Sequence, residues 1–404
     1  MKVLHLIGGF YKNGAFKGAN ILHDNLIECG IDSEILNNDL ANKNKNIKNI
    51  YFINNNFLKN IKYNFLKIID KLFNSIFLPK PRSTFTSGLF GFDITKEKKY
   101  KEADIIHIHW LDQGFINIKS LSKIEKPIIW TMRDMWAFSG GAHYTIDFKN
   151  FEKGKLSNFL KKRKKKSYPK QMLFVSISNW LKSQAETSSV LSNFSIKRIN
   201  NNIDIDNFKN IPKERAMAHL KISTKKKILL YGAQDPQNNR KGWDIIIETM
   251  RNIDKSKYFL LLFGNFWSDD VLKKIGIEFK SLGFVSDKDY LNNIYCSSDI
   301  FLFPSKQEAF GKTWAEAMTC KIPVVCFDKS SASEFIDHKV DGFIVDKIDP
   351  FEFKKGIEWI SCSYQKNNSN FSTLEKKLNN FDVKNISKQY IQLYKELMTN
   401  KKKL

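Results

Sequence analysis

The chain has 404 residues, 42% of them hydrophobic, and 66 basic against 42 acidic side chains, which gives a formal net charge of +24. This length predicts roughly two domains of about 150–200 residues each, and the apolar content excludes global disorder. The five cysteines form no paired motif, which excludes a disulfide scaffold and a zinc ribbon and favours a reducing cytoplasm. We expect no signal peptide and no transmembrane helix, because the apolar runs are too short.

The positive charge is concentrated in the first half of the chain. Residues 1–200 carry 33 basic and 16 acidic side chains, a net +17. A protein surface with this excess of positive charge usually binds a polyanion or an anionic membrane surface. The alternative is that the charge has no function and reflects only the amino-acid composition, because Lys, Asn, Ile and Phe are all abundant, as an AT-rich genome would encode.

Short apolar segments rich in β-forming residues recur along the chain, each followed by a turn and a helical pattern. In the first half they lie at 3–7, 105–110, 128–132 and 174–177, and in the second at 227–231, 258–263, 300–303 and 323–327. Uninterrupted apolar strands are typical of parallel sheets covered by helices on both faces. The two series therefore predict two doubly wound α/β domains that bind ligands beyond the carboxyl ends of their strands.

A polar stretch at 201–225 separates the two series. We therefore expect an N-terminal domain at 1–205, a second domain at 206–383, and a C-terminal helical segment at 384–404. Asp204 and Asp206 form an Asp-x-Asp pattern that can bind a metal, but their position between the domains favours a turn and helix cap.

Residues 57–76 have apolar side chains at helical spacing, with Lys59, Lys62, Lys67 and Lys71 on much of the other side. Two interpretations stay open. The helix either covers the core with a solvated lysine face, or is a basic amphipathic helix at a membrane surface.

Six consecutive cations occupy 161–166. Such a run indicates a solvated segment or a nucleic-acid patch, yet no nucleic-acid-binding motif accompanies it. Docking on an anionic membrane is the third interpretation, because cations near a charged bilayer add about 1 kcal/mol each.

The strongest chemical signal is the pair Glu308 and Glu316, eight residues apart around the start of a helix that follows the strand at 300–303. Gly311 lets the backbone approach a ligand closely, and the amides of the first helical turn favour anions. A carboxylate before the helix can orient sugar hydroxyls, and one two turns inside it can reach a ribose. A capping carboxylate beside a solvated glutamate is the structural alternative.

This segment and the two strand series resemble the retaining glycosyltransferases of family 4, which have the GT-B fold: two facing Rossmann-like, doubly wound domains with a cleft between them. The resemblance spans nearly the whole chain, and it implies that the C-terminal helix at 384–404 crosses back to the first domain. It implies that Glu308 contacts hydroxyls of the transferred sugar and that Glu316 holds the nucleoside ribose. It also implies that Phe310 and Gly311 face the sugar and diphosphate through their amides, and that Lys312 belongs to the donor site.

Two loops fit the same resemblance. Gly14 matches a glycine of the family loop that approaches the donor diphosphate, and Lys241 matches the lysine that neutralises it, with Arg240 in place of the family arginine. Preorganised cations stabilise the charge that develops on the leaving diphosphate. The resemblance therefore implies that Glu308 and Lys241 are catalytic groups, and we expect no metal ion and no cofactor.

The resemblance assigns His109, Trp110, Arg133 and Asp134 to the acceptor side of the cleft. Many related bacterial exopolysaccharide and O-antigen enzymes have His at the position of Arg133. An arginine cannot act as a base, because its pKa exceeds about 12, but as a catalytic candidate it can bind a phosphate or a hydroxyl while Asp134 orients it. His107 shares a strand face with His109, but no third metal ligand is evident, and a hydrogen-bonded buried histidine is favoured.

These patterns predict a retaining, metal-independent, hexosyltransferase-type glycosyltransferase, cytoplasmic and peripheral to the inner face of the plasma membrane. It would move a sugar from a UDP- or GDP-sugar to a lipid-linked glycan during O-antigen, capsule or exopolysaccharide assembly. Its expected partners are these substrates and the anionic inner-membrane surface, without nucleic acid. A sugar-nucleotide epimerase of the same fold and a basic nucleic-acid-binding protein are the alternatives.

Overall fold

The structure, a computed structural model, describes residues 1–77, 84–111, 114–203, 208–266, 272, 275–363 and 371–401. The chain divides into two compact units: Met1–Asn202 together with Val383–Leu404, and Ile203–Asp382. The expected domain boundary at 205/206 and the pair Asp204 and Asp206 lie outside the described residues. Within these residues we find no helix that is long and apolar enough to cross a bilayer.

The first unit is built on a parallel sheet whose strand order is β3-β2-β1-β4-β5-β6-β7. Its strands are β1 (Lys2–Ile7), β2 (Asp32–Asn37), β3 (Ile50–Phe52), β4 (Ile105–Trp110), β5 (Ile128–Met132), β6 (Leu173–Ser176) and β7 (Ile196–Arg198). The order reverses between β1 and β4, so this unit has its switch point beyond Ile7 and Trp110.

Helices of the first unit connect these strands. They are α1 (Gly14–Glu28), α2 (Phe57–Phe77), α3 (Lys98–Glu102), α4 (Lys149–Glu152), α5 (Lys155–Ser167) and α6 (Asn179–Glu186). The α1 helix buries Leu22 and Leu26 against Val3 and Ile105 of the sheet. Because β1 and β4 are buried on both faces, their sequences are mostly apolar rather than alternating, and their histidines His5, His107 and His109 are buried as well.

The α2 helix turns its apolar face to solvent, so the interpretation of a core-covering helix is wrong. Its buried residues are Tyr63 and Asp70. Eight large apolar side chains of the helix are 51–78% exposed, and all but Phe77 lie on the opposite side: Phe57, Leu58, Ile61, Phe65, Ile68, Leu72, Ile76 and Phe77. The interpretation of a helix at a membrane surface stays a prediction.

The cationic run at 161–166 is not a uniformly solvated segment, because Lys164 is buried. The Lys164 ammonium lies 3.6 Å from the centroid of the Trp136 ring and donates to the Trp136 and Ser139 carbonyl oxygens. Burial lowers the pKa of Lys164 to about 7. Lys161 is paired with Glu152 at 2.7 Å. Two of the six cations therefore stabilise the first unit internally.

The second unit is built on another parallel sheet, in the order β10-β9-β8-β11-β12-β13. Its strands are β8 (Lys227–Gly232), β9 (Tyr258–Phe263), β10 (Phe279–Ser281), β11 (Ile300–Phe303), β12 (Val324–Phe327) and β13 (Gly342–Val345). Its helices are α7 (Lys213–His219), α8 (Trp243–Asn252), α9 (Lys288–Cys296), α10 (Lys312–Thr319), α11 (Pro350–Ser363) and α12 (Phe371–Asn379). The switch point of this unit lies between β8 and β11.

The last helix, α13 (Val383–Lys401), belongs to the first unit although it follows the second in sequence. Ile386, Tyr390, Leu393 and Tyr394 are buried in the same apolar cluster as Val3 of β1. The first unit is therefore completed only when both ends of the chain have folded.

Candidate functional site

The strongest cluster of charged side chains in the second unit joins Arg240, Lys241 and Glu308 beyond the switch point. Arg240 and Lys241 lie on a short turn, Asn239–Lys241, after β8, and Glu308 lies in the loop after β11. Nη1 of Arg240 donates to Oε2 of Glu308 at 2.7 Å, and Nζ of Lys241 donates to the same oxygen. Two cations thus share one carboxylate oxygen.

The electrostatics of this cluster follow from its burial. Burial raises the pKa of Glu308, but the Arg240 and Lys241 charges outweigh it and lower that pKa to about 2. Burial and the neighbouring Arg240 charge lower the pKa of Lys241, against the pull of Glu308. Glu308 is therefore ionised at neutral pH, and the three groups together carry one excess positive charge.

Two glycines with positive φ shape the loops that carry these charges. Gly242 (φ 74°) follows Lys241, and a Cβ there would lie 2.1 Å from the carbonyl oxygen of Pro304. Gly311 (φ 75°) precedes α10, and a Cβ there would lie 2.4 Å from the Phe303 ring. Only glycine fits both the backbone conformation and the space at these positions.

The other predicted donor residues lie on or next to α10. Phe310 is buried, and its carbonyl oxygen accepts hydrogen bonds from Nε1 of Trp314 and Oγ of Ser331. The half-buried Lys312 opens the helix. Glu316 lies about one turn into α10, not two as expected, and accepts a hydrogen bond from the hydroxyl of buried Tyr295 at 2.8 Å. Tyr295 belongs to α9, so a neighbouring helix orients the carboxylate.

The first unit gathers the predicted acceptor-side residues at the carboxyl ends of β4 and β5. Trp110 is the last residue of β4, and Asp134 follows β5. Nε1 of Trp110 donates to Oδ2 of Asp134 at 2.9 Å, and the same oxygen lies 2.6 Å from Nδ1 of His143. Nε2 of His143 lies 3.1 Å from the Thr86 hydroxyl. A proton on Nδ1 of His143 satisfies this network, which makes His143 a further site candidate.

Arg133 lies beside a second network. Its Nη1 donates to Oδ1 of Asn201, and its Nη2 lies 3.4 Å from Nδ1 of His109. A Cβ on Gly18 of α1 would lie 2.6 Å from Nη1 of Arg133, so the guanidinium packs closely on this helix. Burial lowers the pKa of Arg133 to about 10, which leaves the side chain charged at neutral pH.

Three buried imidazoles lie next to Arg133: those of His5, His107 and His109. They come together because His5 of β1 is paired with His107 of β4 in the sheet register. Nδ1 of His5 lies 2.8 Å from Nε2 of His109, and ligand atoms of all three rings lie within 4.8 Å of one another. His107 contacts the hydroxyls of Tyr394 (2.7 Å) and Thr131 (2.8 Å). Burial lowers the pKa of each imidazole well below its usual value. With both His107 nitrogens engaged and a guanidinium adjacent, the cluster fits a neutral hydrogen-bonded core.

The loop after β1 is held in place by buried asparagines. Gly9 (φ 79°) donates its amide to Oδ1 of Asn38, and its carbonyl oxygen accepts from Asn37 and Asn42. Gly14, which begins α1, is exposed, and a Cβ built on it would meet no atom within 4 Å. The structure therefore shows no packing reason for a glycine at position 14.

Sequence reasoning thus named most of the clustered residues and missed Tyr295, His143, His5 and the asparagines. Tyr295 carried no signal, because a tyrosine in an amphipathic helix is usually a core residue. His143 lies in the aromatic stretch 131–144, where its partner Asp134 was visible and their pairing was not. His5 needed the strand register, which places β1 beside β4.

Comparisons with known proteins give matches in sequence and in fold. Residues 212–374, which lie in the second unit, match the family model of the glycosyl transferases group 1. An uncharacterized 41.2 kDa protein in the cps region of Klebsiella pneumoniae is 25% identical over 309 residues, 75% of this chain and 81% of that protein. The O-antigen chain mannosyltransferase B of Escherichia coli is 33% identical over 116 residues, 27% of this chain and 30% of that protein.

A solved structure shows the fold. The Anabaena protein HepE, in complex with UDP and glucose, has a TM-score of 0.69 at 16% identity and covers 98% of this chain and 99% of its own. With the two parallel sheets, this confirms the expected α/β fold class of GT-B type.

Proposed function

We propose that this chain, a glycosyltransferase by the match of its second unit to group 1, transfers a sugar from a nucleotide-sugar donor to a lipid-linked glycan with retention of configuration. In this proposal the enzyme works at the inner face of the plasma membrane in surface polysaccharide assembly. The relatives from a cps region and from O-antigen synthesis support that pathway class.

One observation carries the proposal: Arg240 and Lys241 converge on Glu308 beyond the carboxyl ends of β8 and β11. The three groups have an excess positive charge, and the first turn of α10 begins four residues after Glu308. Cations and the amides of a helix N-terminus both favour an anion. A diphosphate is the anion that a sugar nucleotide brings to such a site, whether its base is uracil or guanine.

In the proposed reaction the donor diphosphate replaces the Glu308 carboxylate beside the two cations. Hydrogen bonds to charged groups contribute about 1.5–3 kcal/mol each. The freed Glu308 then accepts hydrogen bonds from hydroxyls of the transferred sugar, and Glu316 accepts from the nucleoside ribose. This exchange couples donor binding to the release of a carboxylate for the sugar.

The chemical step breaks the bond between the anomeric carbon and a diphosphate oxygen, and the electron pair stays on the leaving group. The acceptor hydroxyl oxygen bonds to the same carbon from the same face, and its proton passes to the leaving diphosphate oxygen. Arg240, Lys241 and the α10 amides stabilise this growing charge where it forms. We propose that these groups take the part that a metal ion plays elsewhere, and we assign no enzymatic nucleophile. Transfer is expected to persist in EDTA.

On the acceptor side, we assign Arg133 to a phosphate or hydroxyl of the acceptor, and Trp110 with Asp134 to its sugar. The buried network of Asp134, His143 and Thr86 supports this assignment, because it holds the indole of Trp110 in one orientation. The charge of Arg133 suits a lipid-linked diphosphate better than a neutral sugar.

The test compares Glu308→Gln and Lys241→Met with the wild type. The donor is first chosen by a thermal-shift screen of nucleoside diphosphates, in which a ligand at 100 times its dissociation constant stabilises by about 2.7 kcal/mol. Transfer to extracted lipid-linked glycan is then measured as sugar incorporated. Since each variant removes a charge that acts in the transition state, kcat/KM should fall about 10²–10³-fold.

Lys226→Met is the matched control, because Lys226 also forms an ion pair in the second unit, with Glu278 at 2.9 Å. It should retain wild-type transfer. Wild-type rates in both Glu308→Gln and Lys241→Met would overturn the proposal. Interconversion of the sugar nucleotide without any acceptor would instead identify an epimerase, whereas nucleoside diphosphate released only with acceptor supports transfer.

A further inference from the structure

Among the residues that the structure describes, the proposed glycosyl transfer leaves the exposed apolar stripe of α2 unused. At 1.5 Å per residue, this 21-residue helix is about 30 Å long. Six of its exposed apolar side chains recur every three or four residues and form one continuous outward stripe: Phe57, Ile61, Phe65, Ile68, Leu72 and Ile76. Contiguous exposed apolar surface of this extent marks an interaction site.

The inner side of α2 is fixed by polar contacts, so the helix is not free to roll its stripe inward. Asp70 is fully buried and accepts a hydrogen bond from the Ser87 hydroxyl. Lys59 pairs with Glu97 at 2.7 Å, and Nδ2 of Asn74 donates to the Phe85 carbonyl oxygen at 3.3 Å. Rolling the helix would break these bonds and expose the buried carboxyl.

The charges around the stripe are positive. Helical geometry at 100° per residue puts the exposed Lys62 and Lys71 on opposite edges of the stripe. Asp70 is the acidic residue of α2, and it lies on the inner side. The outward surface therefore has an apolar centre with cationic edges, and the first 200 residues carry a net +17.

A second basic surface lies near α2. The α5 helix exposes Lys162 and Lys166 around Phe159, which is 52% exposed. Both helices pack around one residue, because Leu160 of α5 shares an apolar cluster with Phe85, and Asn74 of α2 bonds to the Phe85 carbonyl.

We propose that α2 docks the first unit on an anionic lipid bilayer, with its apolar stripe among the acyl-chain boundary and Lys62 and Lys71 at the lipid phosphates. This deepens the proposed function, because a lipid-linked acceptor lies at the same surface. Amphipathic helices with basic edges bind in this way, and the attraction follows the surface potential of anionic lipids.

A second copy of the chain fits the same surface less well. Pairing two α2 stripes would bring the lysine edges of both copies together and join two molecules of charge +24. Anionic lipid instead neutralises those edges, so charge complementarity favours the bilayer.

The experiment measures co-sedimentation of the full chain with vesicles of phosphatidylcholine alone or mixed with phosphatidylglycerol, at low ionic strength. We expect binding to the mixed vesicles. The triple variant Phe65→Gln/Ile68→Gln/Leu72→Gln should bind them at least tenfold more weakly. The double variant Lys62→Gln/Lys71→Gln should lose about fivefold per lysine on the mixed vesicles and nothing on neutral ones.

The matched control is Ile348→Gln/Phe351→Gln, which removes two exposed apolar side chains from the second unit (42% and 55% exposed) and should leave vesicle binding unchanged. All altered side chains are exposed, so melting temperatures should equal that of the wild type. Absence of wild-type binding to the mixed vesicles, or equal binding by the triple variant, overturns the proposal. A wild-type dimer that the triple variant dissociates also overturns it, in favour of a second copy.

The two proposals fail separately. The α2 variants should keep the thermal shift produced by the nucleoside diphosphate, because α2 lies outside the second unit. A wild type that binds vesicles but no nucleoside diphosphate would refute the proposed function and leave the membrane surface standing.

Discussion

Glu308 stands at the centre of the proposed donor site, where two cations hold it as an anion. Its pKa of about 2 means that protonation does not regulate the site near neutral pH. The carboxylate occupies the cations until a stronger anion arrives. In the proposed reaction a diphosphate, with more charge and more oxygen atoms, displaces it, and the released carboxylate then faces the sugar.

Gly14 gives a clean test of the proposed donor loop. A Cβ at position 14 meets no protein atom within 4 Å, and alanine favours a helix over glycine by about 0.5–1 kcal/mol. Gly14→Ala should therefore keep or slightly raise the melting temperature. If the donor diphosphate approaches this backbone, the added methyl should raise the donor KM by about tenfold.

The control for Gly14→Ala is Gly30→Ala. Gly30 also has open space around it but lies after the end of α1, far along the helix from Gly14. That variant should leave the donor KM unchanged, although its positive φ (79°) should cost some stability. A wild-type KM in Gly14→Ala would remove Gly14 from the donor site.

At the scale of elements, α9 and α10 form a pair in which one helix positions a carboxylate on the other. The buried Tyr295 ring packs among Phe208, Phe263 and Phe301, and its hydroxyl donates to Glu316. Burial raises the pKa of Tyr295 well above its usual value, so the hydroxyl keeps its proton. Tyr295 is therefore a positioning residue for the proposed ribose contact.

Tyr295→Phe keeps the ring and removes this hydrogen bond. Since hydrogen bonds to charged groups contribute about 1.5–3 kcal/mol, we expect the donor KM to rise about tenfold with a small change in kcat. The variant Glu316→Gln and the double variant complete a thermodynamic cycle. Additive effects in that cycle would contradict the positioning role, because the hydroxyl would then act without Glu316.

The α2 helix shows what a periodic pattern of apolar residues predicts and what it does not. Helical spacing predicts a stripe correctly, but the same stripe serves a core or a membrane. The direction depends on Tyr63, Asp70 and Asn74, whose contacts face inward. The sequence does not show which side of the helix faces the protein, because that depends on the partners of these three polar side chains.

At the scale of the whole molecule, the first unit depends on α13, which the chain adds last. The hydroxyls of Tyr394 and Tyr390 reach His107 and Thr131 at 2.7 and 2.8 Å. Four large side chains of α13 are buried, at about 1.5–3 kcal/mol each. This upper estimate of about 6–12 kcal/mol is comparable to the whole stability of a typical domain.

Deletion of residues 383–404 should therefore unfold the first unit and spare the second. Hydrogen exchange should show β1, β4 and β5 losing protection while β8 and β11 keep theirs. Deletion of 402–404 alone is the control and should change neither unit. Native protection of β1 and β4 in the longer deletion would contradict this dependence.

The basic residues behind the net charge of +24 lie in different places and have different roles. Arg240 and Lys241 belong to the proposed diphosphate site. Lys164 is buried in the first unit, where it donates to the Trp136 carbonyl oxygen. Lys62 and Lys71 edge the α2 stripe. A single net charge therefore describes neither the donor site nor the membrane surface.

The sequence by itself determined the two strand series, and with them the fold. Apolar runs such as 105–110, 128–132, 258–263 and 300–303 coincide with β4, β5, β9 and β11, because strands buried on both faces need continuous apolar side chains. The strands β2, β3, β7, β10 and β13 were missed. They are short or mixed in polarity, so local pattern does not distinguish them from loops. The pair Glu308 and Glu316 was also visible, since its glycine and its strand lie close in sequence.

Only the tertiary structure decided which groups meet and which way a face points. His5 joins His109 because β1 and β4 are neighbours across about 100 residues of chain, and Lys164 is buried because α5 packs over Trp136. Tyr295 reaches Glu316 from another helix, and the α2 stripe faces outward because the polar contacts of that helix face inward. Contacts between distant segments are set by packing and register, which no local pattern of residues encodes.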